Sequence, residues 1–420
     1  MLDITAICIV VTALFAYLNH RWTRLPTTIG VMAIALALSL AMVGLDAVGL
    51  DHGLRQYEES FIRSIDFSDV LMEGMLSFLL FAGALHVDWT ALKQYRWQVA
   101  VLALLGTLVS TAVVGGALWF VLPYVGLSLP LLHCLLFGAL ISPTDPIAVM
   151  GILKSAAAPK ELEIVIAGES LFNDGFGVVI FTLLLGVLAS GDAPTLTAAG
   201  TLLLREAGGG IAFGLVLGYV VFRMLKSIDQ YQIEVLLTLA AVVGGYALAS
   251  HLHVSGPLAM VVCGLIVGNG GRARAMSNTT RRYIDMFWEL VDEMLNAVLF
   301  VMIGLEVILI SFSFPMLLGG AFAIAITLTA RWLTAGLPVK AGGGWFALPR
   351  GASHVLVWGG LRGGISVALA LSIPVGPQRE AILALTYCVV VFSILVQGLT
   401  IGRVIQAAIG ETPTPPVAPH

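Results

Sequence analysis

About thirteen stretches of roughly twenty apolar residues follow one another along this chain, each the length a helix needs to cross the hydrocarbon core of a bilayer. They fall near residues 3–19, 26–50, 69–88, 97–121, 129–153, 160–190, 207–226, 231–251, 255–270, 284–312, 315–338, 350–374 and 379–409. Hydrophobic residues make up 59% of the chain and charged residues only 11%, against roughly 25% charged in a soluble domain. No water-soluble fold can be built from that composition. The expected fold class is an all-α polytopic membrane protein, because lipid leaves helices and closed barrels as the only ways to pair every backbone group.

The placement of Lys and Arg tests the count, since cytoplasmic loops collect basic residues. With the N-terminus outside, the odd-numbered connections carry Arg21, Arg24, Lys93, Arg96, Arg281 and Arg282 among others, and Arg403 lies near the C-terminus on the same side. The opposite side holds Arg55, Arg63, Arg205 and Arg379, while Arg331 and Arg362 fall inside spans. This bias supports thirteen spans in the cell membrane, with a cytoplasmic C-terminus. The first apolar stretch is followed, not preceded, by basic residues, and so reads as a retained helix rather than a cleaved signal. Residues 1–410 are expected to form one integral domain. The gap at 51–68 is expected along the outer interface, and the proline-rich 411–420 as a disordered tail.

The four cysteines are scattered through apolar stretches and suggest inert thiols. The chain has no Walker A, HExxH or GxSxG motif. Neither cofactors nor catalytic residues are expected, and no nucleic-acid partner. Any transport must draw on an ion gradient or on diffusion.

Charge deep in the apolar segments carries the functional signal. The stretch Gly168-Glu169-Ser170-Leu171-Phe172-Asn173-Asp174 sits near the middle of an apolar run from Ile164 to Leu188. A carboxylate at the bilayer centre costs ~2.5–3.5 kcal/mol on insertion scales, and leucine would pack better. Such residues point to an ion or proton path. Span five contains Ser142-Pro143-Thr144-Asp145-Pro146, whose two prolines should break the helix and free carbonyls near Pro143 and Thr144 beside Asp145. Span twelve contains Gly359-Gly360-Leu361-Arg362-Gly363-Gly364, a second weakened helix around an intramembrane arginine. Two interrupted helices at corresponding places in two halves mark an inverted-repeat transporter. Arg362 has Glu169 as its nearest candidate partner.

Together these motifs resemble the signatures of monovalent cation:proton antiporters, and more narrowly the sodium/proton exchangers of the bacterial NhaP and animal NHE type. Supporting matches are Ser255-Gly256-Pro257-Leu258-Ala259, Gly264-Leu265-Ile266-Val267-Gly268-Asn269 and Phe287-Trp288-Glu289. The resemblance runs from the first span to the last. It implies that Asp174 is the ion- and proton-binding carboxylate, with Asp145, Ser170 and the Thr144 carbonyl as co-ligands for Na+. Asn173 stands where electrogenic relatives have a second aspartate, which implies electroneutral exchange. Glu169 and Arg362 resemble the family's structural ion pair. A homodimer is implied, with an ion-binding core (about 97–190 and 315–409) moving against a scaffold (about 1–96 and 197–312).

One departure is Ala82, where many relatives carry an acidic residue; Glu73 lies nine residues earlier and cannot replace it along one helix face. The implied activity is antiport of Na+ or Li+ against H+. A K+/H+ exchanger or a passive cation channel are the alternatives, since nothing in the motifs fixes ion size. Two further signals have bland readings. Gly210, Gly214 and Gly218 permit close helix approach, either within a subunit or at a dimer seam. Glu289, Asp292 and Glu293 open span ten on the cytoplasmic side, where they are expected either to draw cations toward a funnel or simply to occupy a solvated helix start, which favours acids.

Overall fold

The computed structural model describes residues 2–47, 70–146, 149–151, 153, 158–191, 196–272, 275–307 and 313–409. The segment 51–68 and the tail 411–420, given expectations above, lie outside the described residues. Among the described residues every regular element is helical.

In chain order the principal ones are α1 (Leu2–Leu18), α2 (Thr27–Ala47), α3 (Leu76–His86), α4 (Arg96–Val125), α5 (Leu131–Ile141) and α6 (Lys160–Ser190). Then come α7 (Gly200–Leu225), α8 (Tyr231–His251), α9 (Gly256–Gly271), α10 (Asn278–Glu306), α11 (Phe314–Ala341), α12 (Ala352–Trp358), α13 (Gly364–Leu371) and α14 (Pro377–Ile409). Helix occupies part of each of the thirteen apolar ranges. Among the described residues six helices (α4, α6, α7, α8, α11 and α14) are individually long and apolar enough to cross a membrane. Helices α1 and α2 meet at 104° across residues 24–26.

Local chemistry sets several starts. Ser255, Ser277 and Ser313 cap α9, α10 and α11, accepting from the backbone N–H three residues on at 3.3, 3.3 and 3.4 Å. Each cap satisfies a donor that the first helical turn would otherwise leave unpaired.

Two sets of helices pack mainly among themselves. In one, α2 lies along α10, α3 packs against α9 and α10, and α9 against α7 and α8. In the other, α4 packs against α5 and α11, and α14 against α11 and α13. Helix α6 joins them, touching α5 on one side and α9 on the other.

The doubled GxxxG spacing of α7 serves the α7–α9 contact inside one subunit. A Cβ at Gly214 would sit 2.6 Å from the Ala259 carbonyl oxygen, and one at Gly210 would sit 2.6 Å from that of Ser255. Both obstacles are backbone, which cannot rotate away. Gly214→Val is therefore expected to lower stability by ~1–3 kcal/mol through overpacking. Gly244→Ala on α8, where nothing lies within 4 Å, serves as the neutral control. Melting temperatures of the two purified variants check this.

The Phe-Trp-Glu motif has a packing role in this set. Trp288 is fully buried, donates from Nε1 to Thr238 Oγ1 at 3.0 Å, and lies 4.7 Å from the Phe81 ring. Asn269, which ends the Gly-Leu-Ile-Val-Gly-Asn motif, holds the turn after α3. Its amide donates to the Val87 carbonyl at 2.9 Å, and its carbonyl accepts from Trp89 N–H at 2.7 Å.

Candidate ion-binding site

Both expected helix breaks are present, and they cross. Helix α5 stops at Ile141, and residues 142–146 continue in irregular backbone through the two prolines. Helix α12 stops at Trp358, and α13 resumes at Gly364. Proline has no N–H to continue a helix and clashes with the preceding turn, and glycine holds helical φ/ψ weakly. At the crossing, Asp145 N–H donates to the Leu361 carbonyl at 2.8 Å, and Arg362 N–H donates to Ser393 Oγ at 2.8 Å. Gly363 lies directly against the Asp145 side chain, so any larger residue there would displace the carboxylate.

Helix α6 runs past this crossing and supplies the polar side chains. Asn173 accepts from Thr144 N–H at 3.2 Å through Oδ1 and donates from Nδ2 to Thr144 Oγ1 at 2.9 Å. Thr144 Oγ1 is also 2.9 Å from Ser170 Oγ. Thr144, Ser170 and Asn173 are each 2% exposed or less. The amide of Asn173 thus holds the broken strand of backbone in register with α6. Gly177, one turn beyond, lets the Pro143 ring lie against the helix. Asp174 is buried, and its carboxylate lies within Coulombic reach of Asp145 and of the Arg362 guanidinium. Two carboxylates with the Thr144 and Ser170 hydroxyls nearby offer oxygen ligands, which suit hard cations.

The structure corrects the expected ion pair. Glu169 does not take Arg362 as its direct partner. It is held by Arg331 of α11, whose Nη2 donates to Oε2 at 2.9 Å while Nη1 donates to Oε1. Arg331 Nε donates in addition to the Leu356 carbonyl at 3.1 Å. This paired fork is the geometry an arginine offers a carboxylate. It fits because Gly360 leaves room for the Arg331 side chain where a Cβ would collide with it.

Arg362 instead turns into the other break. Its Nη1 donates to the Pro143 carbonyl at 2.7 Å and to the Ser142 carbonyl. The Pro143 carbonyl, expected as a free cation ligand, is therefore engaged by an arginine. The reason is physical: a broken helix in lipid must have its freed carbonyls satisfied, and the nearest strong donor is the arginine of the other broken helix. An intramembrane arginine always raises the question of a partner. That signal was available for Arg331 in the sequence but named no partner there.

Crossed broken helices around buried carboxylates define a class: a polytopic membrane transporter with an ion site at the crossing. Residues 10–407 match the family model described as sodium/hydrogen exchanger, transmembrane, and the chain belongs to that family. It is 55% identical over 412 residues to the Na(+)/H(+) antiporter NhaP of Pseudomonas aeruginosa, covering 97% of this chain and 96% of that protein. It is 37% identical over 395 residues to the Na(+)/H(+) antiporter NhaH of Halobacillus aidingensis, covering 90% and 95%. Its fold is similar to that of the sodium proton antiporter MjNhaP1 of Methanocaldococcus jannaschii, with a TM-score of 0.72, 20% identity and coverage of 97% and 98%.

Proposed function

We propose that this protein exchanges Na+ for H+ across the membrane by competition of the two ions for Asp174. The observation that carries this reading is the convergence of Asp174, Asp145, Thr144 and Ser170 at the crossing of two broken helices. With Asp174 ionised, its carboxylate and the neighbouring oxygens replace the hydration shell of a sodium ion. With Asp174 protonated, the charge that binds sodium is gone. One carboxylate cannot hold both ions, so loading one expels the other. Coupling follows if the empty, charged site crosses slowly. The relatives named Na(+)/H(+) antiporters favour Na+ over K+, and a transporter over an enzyme or a passive channel. Thr144 and Asn173 set the backbone in place, and Glu169 with Arg331 braces α6 against α11.

The packing of the helices into two sets supports the division into a core that carries the site and a scaffold. The expected homodimer, formed through the scaffold, and the orientation with the N-terminus outside belong to the same reading. Proteoliposomes loaded with a pH-sensitive dye test the function: pulses of Na+ and of Li+ should move protons, and K+ should not. A K+ response equal to that of Na+ would sink the assignment of the ion.

Stoichiometry gives a second test. Asn173 carries no proton and Ala82 is buried and apolar, which leaves Asp174 as the group that changes charge while Asp145 stays a fixed ligand. One proton then replaces one cation, and no net charge moves. Vesicles clamped with K+ and valinomycin at about ±100 mV apply ~2.3 kcal/mol to each transferred charge. The Na+ gradient that balances a given pH gradient should be the same at both voltages. A balance point that moves with voltage means that a second acid titrates.

A further inference from the structure

We propose that Asp292 and Asn296 of α10 form a second cation site, a waiting position beside the central one. The inference rests on the Na+/H+ reading above. Helix α10 passes the crossing with the Leu299 side chain set against Gly364, the first residue of α13. Helical spacing puts Asn296 and Asp292 on that same face, one and two turns toward the start of the helix. They therefore step away from the crossing along a path toward the charged end of α10, which the placement of basic residues assigns to the cytoplasm.

Asn296 is 1% exposed, and its Nδ2 donates to the Asp292 main-chain carbonyl at 2.8 Å. That bond fixes which end of the amide is nitrogen. The other end, Oδ1, is buried and has no hydrogen-bond partner among the described residues. A buried acceptor without a donor calls for a ligand. Beside it, the Asp292 carboxylate is half-buried and accepts a hydrogen bond from the Asn296 side chain, and the charges acting on it among the described residues are all carboxylates: Asp145, Glu293 and Glu289. The site thus offers oxygen acceptors and negative potential, with no counter-charge acting on Asp292 among the described residues. A water molecule would satisfy Asn296 Oδ1 but leave the carboxylates repelling one another. A small hard monovalent cation such as Na+ answers both needs. Held there, it would stand close enough to Asp145 to be passed to Asp174 when the proton leaves.

The test is Na+-driven proton flux in proteoliposomes of the wild type and of Asn296→Val, Asp292→Asn and Asn296→Asp. Losing one oxygen ligand should raise the half-saturating Na+ concentration roughly three- to ten-fold in Asn296→Val and Asp292→Asn, by more than the maximal rate falls. Asn296→Asp, which strengthens the site, should lower it. Asn296→Val with unchanged half-saturation would overturn the proposal. If that variant does not purify as a monodisperse protein, Asn296→Asp decides alone: unchanged or weaker half-saturation overturns it. A wild type without Na+-driven flux would overturn the parent reading and this one together, whereas an active wild type with unaltered variants overturns this one only.

Discussion

Asp174→Asn is expected to insert, fold and purify like the wild type and to reduce cation-driven proton flux to that of protein-free vesicles. The amide keeps the shape of the side chain and removes the charge that both ions require. Its melting temperature should stay level or rise, because a buried neutral amide beside Asp145 costs less than a buried carboxylate that repels another. Loss of flux with retained stability separates a carrier residue from a packing residue. A variant with near-normal exchange would place the competing site elsewhere and end the proposed mechanism.

The second large effect belongs to Arg331. Replacing it with alanine leaves Glu169, 1% exposed, charged and unpaired at the centre of the helix packing, and removes the donor to the Leu356 carbonyl. Breaking a buried pair from one side costs ~3–5 kcal/mol. Arg331→Ala should therefore express poorly or melt much lower, losing transport as a consequence. Replacing both partners with apolar residues of similar size, Glu169→Leu with Arg331→Met, should restore most of the stability, since an apolar pair carries no desolvation penalty. Thermal melts of Glu169→Leu, Arg331→Met and the double form a cycle that isolates the pair. A double variant no more stable than Arg331→Ala would mean that Arg331 acts through some other contact.

Much of this was legible in the chain before any coordinates. The two breaks could be located because Pro143, Pro146 and the glycines around Arg362 act on the backbone itself, which is a local effect. Asp174 and Asp145 stood out because ionised groups are rare in apolar segments and each needs a reason. The partner of Glu169 was not legible. Arg331 and Arg362 are both arginines within spans, and the choice between them depends on how α11 and α12 pack against α6, a tertiary matter that no spacing encodes. The acids at the start of α10 had two readings, a funnel for cations and a solvated helix start, and spacing alone could not choose between them. The start of α10 is charged, but only the packing of Leu299 on Gly364 shows that one face of that turn looks toward the site. The α7 glycines left a choice between an internal contact and a dimer seam, and the α7–α9 packing decided it.

The two broken helices complete each other's hydrogen bonding: Leu361 accepts from Asp145, and Arg362 donates to the carbonyls of Ser142 and Pro143. Neither gap can close or rewind by itself without leaving polar backbone of the other unpaired. The crossing is thus a single mechanical joint. Under the proposed exchange, an ion held there would not be handed through by local unwinding of one half-helix; the joint would move as a unit, with α6 attached to it through Asn173 and Thr144.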